Sequence, residues 1–307
     1  MEQKYQEEDD LKTTGIISNE SIPKLNKRSL WIGNLGGKKT KAYFDMDRLM
    51  THTVLIGASG TGKSVASMVL AEECLLKDVA VAVFDPTLNW TGFSKPCEDK
   101  DMLRKYEKFG LSDSDARGFN TKLISVLETD LKIKIDYFKK GVMTVLMLDR
   151  LIPNDYNKFM ENTLQSIFLS LKEQFDKLEI LIVVENAYLL LPQFGGKGAM
   201  MLERACREFR KWGIGMILPT QIYSEFGAGV TGNVASEFLF STRFEKDIQR
   251  AGMRYGSAYG GMLSRLKIGE CLAQNPNYNY TKPWRVDIRP TFHDPNKLTP
   301  KEIKDLT

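Results

Sequence analysis

Eight residues, Gly57-Ala-Ser-Gly-Thr-Gly-Lys-Ser64, match the pattern G-x-x-x-x-G-K-[ST]. That spacing suits the holding of a polyphosphate. Glycines let successive backbone N–H groups close around phosphate oxygens, and a helix starting at the end of the motif adds its positive pole. Gly57, Ser59, Gly60, Thr61, Gly62, Lys63, Ser64 and Val65 then form the cradle. Lys63 would reach the β- and γ-phosphates, and the Ser64 hydroxyl would take one position on Mg2+. The competing reading is an ordinary glycine turn. However, the motif follows the apolar run Thr53-Val-Leu-Ile56 and opens a helical stretch at Lys63. The base-reading tetrapeptide Asn-Lys-x-Asp of GTPases does not occur, so ATP is the expected nucleotide.

Three apolar runs end in an acid, at Asp85, Asp149 and Glu185. In a parallel sheet all three point toward the phosphate edge. The Mg2+-linked acid is usually the first polar residue after the apolar strand, which assigns Glu185 to the metal. Asp85 is a second candidate, and Asp85 and Asp149 read equally well as turn or helix caps. Asn186 follows Glu185, where many ATPases carry a second acid that activates the attacking water. An amide can hold that water but cannot take its proton. Further on, Arg204, Arg207 and Lys211 sit at helical spacing, and Arg210 lies just before an apolar run that ends in Thr220-Gln221. By themselves these cations also fit a solvated basic face. A glutamine at that edge can orient water or sense a γ-phosphate.

These groups need a scaffold that delivers them to one edge. Strands are predicted at 53–57, 79–85, 142–148, 180–185, 214–219 and 236–242, with helices at 63–77, 156–176 and 198–211. Apolar runs without alternation, separated by helices, indicate an α/β fold with a mostly parallel sheet covered on both faces. Residues 1–28 are polar and without period and read as a disordered arm. Residues 30–49 read as two strands around a Gly-Gly-Lys-Lys turn, and 92–140 as a lysine-rich helical insertion. The segment Gly269–Pro290 reads as a hairpin within a domain spanning 29–292. The 293–307 tail ends in a helix with Thr299 as N-cap and Pro300 at its first position.

The chain has 307 residues and a net charge of +4. The first ten hold five acids and one lysine, hence −4, which leaves +8 on the rest. That balance permits nucleic acid without demanding it. Two histidines, His52 and His293, argue against a His-based zinc site or a Ser-His-Asp triad. Four cysteines without a C-x-x-C pair read as reduced thiols. No apolar run approaches the roughly 20 residues of a membrane span, so a cytoplasmic protein is expected, with docking at a membrane or virion assembly complex left open.

In this order the motifs resemble those of the HerA–FtsK superfamily of ring ATPases, on its HerA-like side. The blocks are "HTVLIGASGTGKS", "VAVFDPTLNW", "GVMTVLMLDRL", "ILIVVENAYLLLP", "FRKWGIGMILPTQ" and "LKIGECLAQN", between about Ile32 and Pro290. The resemblance implies a RecA-like P-loop NTPase core, a homo-hexamer with ATP and Mg2+ between subunits, and a channel for double-stranded DNA. It makes Arg210 the arginine finger acting in trans, with Arg243 as second candidate, and Gln221 the sensor. Two positions depart from the family pattern. Asn186 and Asn89 stand where acids are usual, and the stretch before the P-loop is too short for the family's N-terminal β-barrel.

The expected function is a ring motor that hydrolyses ATP to move double-stranded DNA, in end processing, conjugation-like transfer or virus genome packaging. The basic turns at 36–39 and 195–198 could face the channel and contact phosphates, although glycine-lysine turns are more often plain surface. A nuclease or a membrane complex would be a further partner. The alternative is an ATP-binding ring or adaptor that turns over slowly, which the two asparagines motivate.

Overall fold

The computed structural model describes residues 14–18, 20–187, 197–223 and 226–306. Its centre is an 11-stranded sheet in the order β2-β1-β11-β10-β9-β3-β8-β7-β4-β6-β5. The strands are β1 (Ser29–Leu35), β2 (Lys41–Asp45), β3 (Thr53–Ile56), β4 (Ala80–Asp85), β5 (Thr121–Ser125), β6 (Met143–Met147), β7 (Phe175–Val184), β8 (Trp212–Thr220), β9 (Ser236–Phe240), β10 (Glu270–Gln274) and β11 (Trp284–Ile288). From β9 to β5 every pairing is parallel. The β2, β1, β11 and β10 strands extend the sheet antiparallel from β9.

The apolar runs explain the parallel block. Every residue of β3, β4 and β6 is buried, as expected of strands covered on both faces. Alternate residues feed two cores. Val54 and Ile56 face a cluster with Phe159, Leu164 and Phe209, while Leu55 packs with Val69, Leu70 and Trp284 on the other side.

The helices among the described residues are α1 (Lys63–Leu75), α2 (Lys100–Tyr106), α3 (Pro153–Ser170), α4 (Gly198–Glu208), α5 (Ala228–Thr231), α6 (Glu245–Tyr255), α7 (Ser257–Leu263) and α8 (Pro300–Leu306). In α1 every residue from Ala66 to Leu75 is buried, so this helix is an internal pillar rather than a surface element. Thr299 and Glu302 cap α8 reciprocally, with Thr299 N–H donating to Glu302 Oε2 at 2.7 Å and Glu302 N–H to Thr299 Oγ1 at 3.4 Å.

The structure departs from the sequence reading in three places. The helix expected over 156–176 ends at Ser170, whose hydroxyl donates back to Ile167 O at 2.8 Å and accepts Ile135 N–H at 3.0 Å. By Phe175 the chain is already strand β7, paired with Trp212. The 92–140 segment is not wholly helical, because it contains β5, an edge strand whose residues include the polar Thr121, Lys122 and Ser125. Only Leu123 of β5 is buried, so its apolar signal is weak. Of the 1–28 arm, residues 1–13 lie outside the described residues. Its later part is packed, with Ile17 N–H donating to Asn279 Oδ1 and Asn279 Nδ2 to Gly15 O, both at 2.8 Å. The 269–290 hairpin forms as predicted, as β10 and β11. All four cysteines are buried free thiols.

Candidate functional site

The P-loop follows β3 and turns into α1. Gly62 takes φ 108° at the helix N-cap, a conformation that favours glycine. A Cβ at Gly57 would lie 2.6 Å from Phe240 Cβ, so the loop start tolerates no side chain. Thr61 Oγ1 donates to Ala58 O at 2.7 Å and Lys63 Nζ to Gly57 O and Ala58 O at 2.9 and 2.8 Å. Ser59, Gly60 and Ser64 are exposed. Burial lowers the Lys63 pKa, and the nearby Glu185 works against that shift.

The P-loop opens into a cleft of about 540 Å3 that brings together Lys63, Ser64, Val65, Glu185, Asn186 and Gln221. Glu185 N–H continues the ladder to Phe84 O at 3.1 Å, and its carbonyl accepts the Tyr156 hydroxyl at 3.2 Å. The Trp90 indole N–H donates to Glu185 Oε1 at 2.9 Å. Burial pushes the Glu185 pKa up to about 7, against the Trp90 hydrogen bond, and the neighbouring Asp85 charge adds to the rise. Asn186 has φ 52°, a left-handed conformation that asparagine tolerates better than most residues. The rest of the predicted block, 188–192, lies outside the described residues.

Asp85 has its oxygens engaged elsewhere. Oδ1 accepts Thr87 N–H and Oγ1, and Oδ2 accepts Trp90 N–H at 2.8 Å. It folds the turn after β4 and does not line the cleft. Asp149 and Asn89 are exposed and also lie outside its lining. Arg210 is exposed at the start of β8, while Gln221 follows the end of that strand. The nine-residue strand β8 between them places them at its opposite ends, roughly 30 Å apart at ~3.3 Å per residue. Arg210 therefore cannot reach its own chain's cleft. Arg243 follows β9 at the P-loop edge, where Ser241 O accepts Ala58 N–H at 2.9 Å.

The sequence reading missed one wall of the cleft. Met102, Lys105, Lys108 and Phe109 come from α2 and the turn after it, and Asp287, Ile288, Arg289 and Pro290 from the end of β11. Lys105 and Lys108 carried no signal beyond a lysine-rich segment. Trp90 could have been noticed as the large apolar residue closing the Asp85 block.

Behind the cleft sits a buried ionic clasp. The Arg289 guanidinium, fully buried, donates to Glu72 Oε2 at 2.6 Å, Glu73 Oε1 at 3.0 Å, Trp31 O at 3.1 Å and Pro290 O at 2.9 Å. Glu72 Oε1 also accepts the backbone N–H groups of Phe292 and His293 and contacts His293 Nδ1 at 2.6 Å. Burial opposes ionisation of Glu72, but Arg289 and His293 outweigh it and hold the carboxyl below its usual range. The clasp fastens α1, which carries Lys63, to the end of β11.

A mostly parallel α/β sheet with a phosphate loop between its central strand and α1 defines a P-loop NTPase fold. The family profile that matches the chain, over residues 30–186, is Helicase HerA, central domain, and the chain belongs to that family. Among solved structures it is similar to VirB4 of Thermoanaerobacter pseudethanolicus, with 13% identity and TM-score 0.57 over 92% of this chain and 100% of that one. It is also similar to the pCW3 conjugation coupling protein TcpA, with 13% identity and TM-score 0.53 over 94% of this chain and 73% of that one. The genome packaging NTPase B204 of Sulfolobus turreted icosahedral virus 2 aligns at 14% identity and TM-score 0.49, over 76% and 95%. At these identities the likeness concerns the fold. No curated protein matches the chain. No helix among the described residues is long and apolar enough to cross a membrane.

Proposed function

We propose that the chain is the ATP-hydrolysing subunit of a homo-hexameric ring that moves double-stranded DNA. The observation that carries this reading is the convergence of Lys63, Ser64, Glu185 and Gln221 on one cleft in a member of the Helicase HerA central-domain family. The residues present suit ATP. Glycines stand where a Cβ would collide, Lys63 lies beside the loop carbonyls, and an exposed hydroxyl and a carboxyl share the same cleft.

Ser64 and Glu185 would hold Mg2+, which when bound supplies charge neutralisation at the phosphate oxygens. Asp85 is left out of that pair because its own turn occupies it. Glu185 must give up its proton to serve a metal. Asn186 and Gln221 can orient a water by hydrogen bonds, and Lys63 offsets the negative charge of the phosphates. Arg210 can serve only a neighbour's cleft, which is why the reading requires a ring. Arg243, at the P-loop edge, is the second candidate finger. End processing, conjugation-like transfer and virus genome packaging are the processes such a motor would serve, with a nuclease or a membrane or virion assembly complex as partner.

DNA contact would fall to basic turns. The 36–39 turn joins β1 to β2 on the sheet edge opposite the P-loop, as the pairing of Gly33 with Ile288 and Leu35 with Val286 requires. Of the 195–198 turn, 195 and 196 lie outside the described residues. The test is ATP turnover with and without duplex DNA, alongside the mass of the assembly. Duplex DNA should stimulate turnover, and Lys63→Ala should abolish it. A confirmed hexamer that no DNA stimulates at low salt refutes the motor.

A second reading is a ring or adaptor that binds ATP and turns over slowly. Asn186 favours it, as an amide in place of the usual second acid. Here Asn186→Glu should raise turnover sharply, despite about 1–2 kcal/mol of strain from the left-handed backbone. Native turnover at motor-like rates excludes this reading.

A further inference from the structure

Gln221 is exposed and lines the cleft, so the backbone on either side of it sets its place. Before it, Thr220 ends β8, and its Oγ1 accepts Ile222 N–H at 3.3 Å. After it, Tyr223 is buried, and its N–H donates to Asp247 Oδ2 at 3.3 Å. The Arg250 guanidinium lies 3.7 Å from the centre of the Tyr223 ring, within reach of a cation–π contact. Asp247 and Arg250 stand three residues apart on α6 and so share one helix face. That face holds both the main chain and the side chain of Tyr223.

Arg250 is itself fixed. Glu237, fully buried on β9, accepts Arg250 Nη1 on Oε1 and Nη2 on Oε2, both at 3.1 Å. Two parallel bonds from a planar fork set the plane of the guanidinium, and with it the surface against the tyrosine ring. Glu237 also accepts Arg254 Nη1 at 2.6 Å and the Tyr255 hydroxyl at 2.9 Å. Its strand pairs with β3, with Glu237 opposite Val54. Just past the end of β9, Ser241 O accepts the P-loop N–H of Ala58 at 2.9 Å. The contacts therefore run from the strand beside the P-loop, through Glu237 and Arg250, to the residue two places after Gln221. None of Tyr223, Glu237, Asp247 and Arg250 lines the cleft.

We infer that Tyr223, Asp247 and Arg250 are positioning residues for ATP hydrolysis, holding the Gln221 backbone in register with the P-loop so that its side-chain amide can orient the attacking water. This rests on the proposed role of Gln221 in the ATP cleft, and it adds residues outside every motif seen in the sequence. A buried cluster that served stability alone would lower the unfolding midpoint and leave the turnover of each folded molecule unchanged.

The experiment is steady-state ATP turnover by the full chain with Mg2+, with kcat and KM separated and unfolding measured alongside. Tyr223→Leu removes the ring from Arg250 and should lower kcat at least about tenfold, as a small misplacement of an orienting group does, with KM little changed. Tyr223→Phe keeps the ring and should retain most of kcat. In a Gln221→Ala background Tyr223→Leu should add little further loss, because both changes remove the same contribution. Native kcat in Tyr223→Leu overturns the inference. So does a loss that multiplies in full onto that of Gln221→Ala, since the tyrosine then acts by another route. If Lys63→Ala abolishes turnover but Gln221→Ala does not lower it, the positioning role falls and the phosphate site stands. If the native protein shows no turnover that depends on Lys63, the hydrolysis reading falls and takes the inference with it. Should Tyr223→Leu fail to fold, Asp247→Ala, which removes the acceptor of the Tyr223 N–H, decides by the same comparison.

Discussion

Replacing Arg289 with methionine should damage this protein more than any single change on its surface. The guanidinium is fully buried and serves two carboxylates and two carbonyls. Methionine keeps much of the volume and removes the charge, leaving Glu72 and Glu73 buried without the guanidinium that pairs them. Breaking a buried ion pair by removing one partner costs about 3–5 kcal/mol. With a urea slope of roughly 3 kcal/mol/M, that is a drop of about 1–2 M in the unfolding midpoint. Trp31, Trp90, Trp212 and Trp284 provide a fluorescence signal. Two consequences separate the clasp from ordinary packing. First, Arg289→Met combined with Glu72→Gln should be more stable than Arg289→Met alone, because the second change removes the stranded charge. Second, the sign of the pH response is fixed. The native Glu72 pKa is depressed, so its contribution is present above the unfolded value near pH 4.3 and is lost as pH falls through the lower folded value. In the methionine variant the Arg289 charge no longer offsets burial, although the Phe292 and His293 contacts remain, so that pKa rises and the gap between variant and native protein should narrow as pH falls toward 4. A loss below about 1 kcal/mol, or a double variant less stable than the single one, would refute the reasoning.

Glu185, with its pKa near 7, makes Mg2+-dependent ATP binding sensitive to pH. About a tenth of it is ionised at pH 6 and nine tenths at pH 8, so affinity should rise up to about tenfold across that range. Glu185→Gln should flatten the profile, and an unchanged slope in that variant excludes Glu185 as the metal acid. His52 is fully buried, and burial pushes its pKa down to about 4 against a hydrogen bond to the Cys206 backbone. The unfolded chain then binds the extra proton below pH 6.5, so stability should fall by roughly 3 kcal/mol between pH 6.5 and 4. Unfolding of His52→Leu measured over the same range should lack that component.

Much of this architecture was legible because burial on both faces leaves continuous apolar runs, as in β3, β4 and β6. Glycine spacing marked the P-loop for an equally local reason. The far wall of the cleft was not legible. Lys108 and Asp287 are 179 positions apart, and nothing in either neighbourhood announces the other. The edge strand β5 was hidden by its polar residues, and the end of α3 by a stretch that suits helix and strand alike. The clasp was invisible for a further reason: nothing in the sequence says that the fold buries the helix carrying Glu72 and Glu73.

The Asp85 block gains a different role from the one its sequence suggests. As a metal acid Asp85 would need a free oxygen, yet its two oxygens accept two N–H groups and one hydroxyl from the turn it folds. That turn sets Trp90 against Glu185. Burial raises the Asp85 pKa against the hydrogen bonds of its turn, while the Glu185 carboxylate is held by the Trp90 indole. The charge of Asp85 then helps keep the Glu185 proton on. A strand-end acid that looks like a metal ligand can therefore act by holding its neighbour's proton until a cation arrives. The same logic bears on Asn186. A carboxylate there would add a further acid beside Asp85 and Glu185, so the amide spares the site further repulsion while giving up a base.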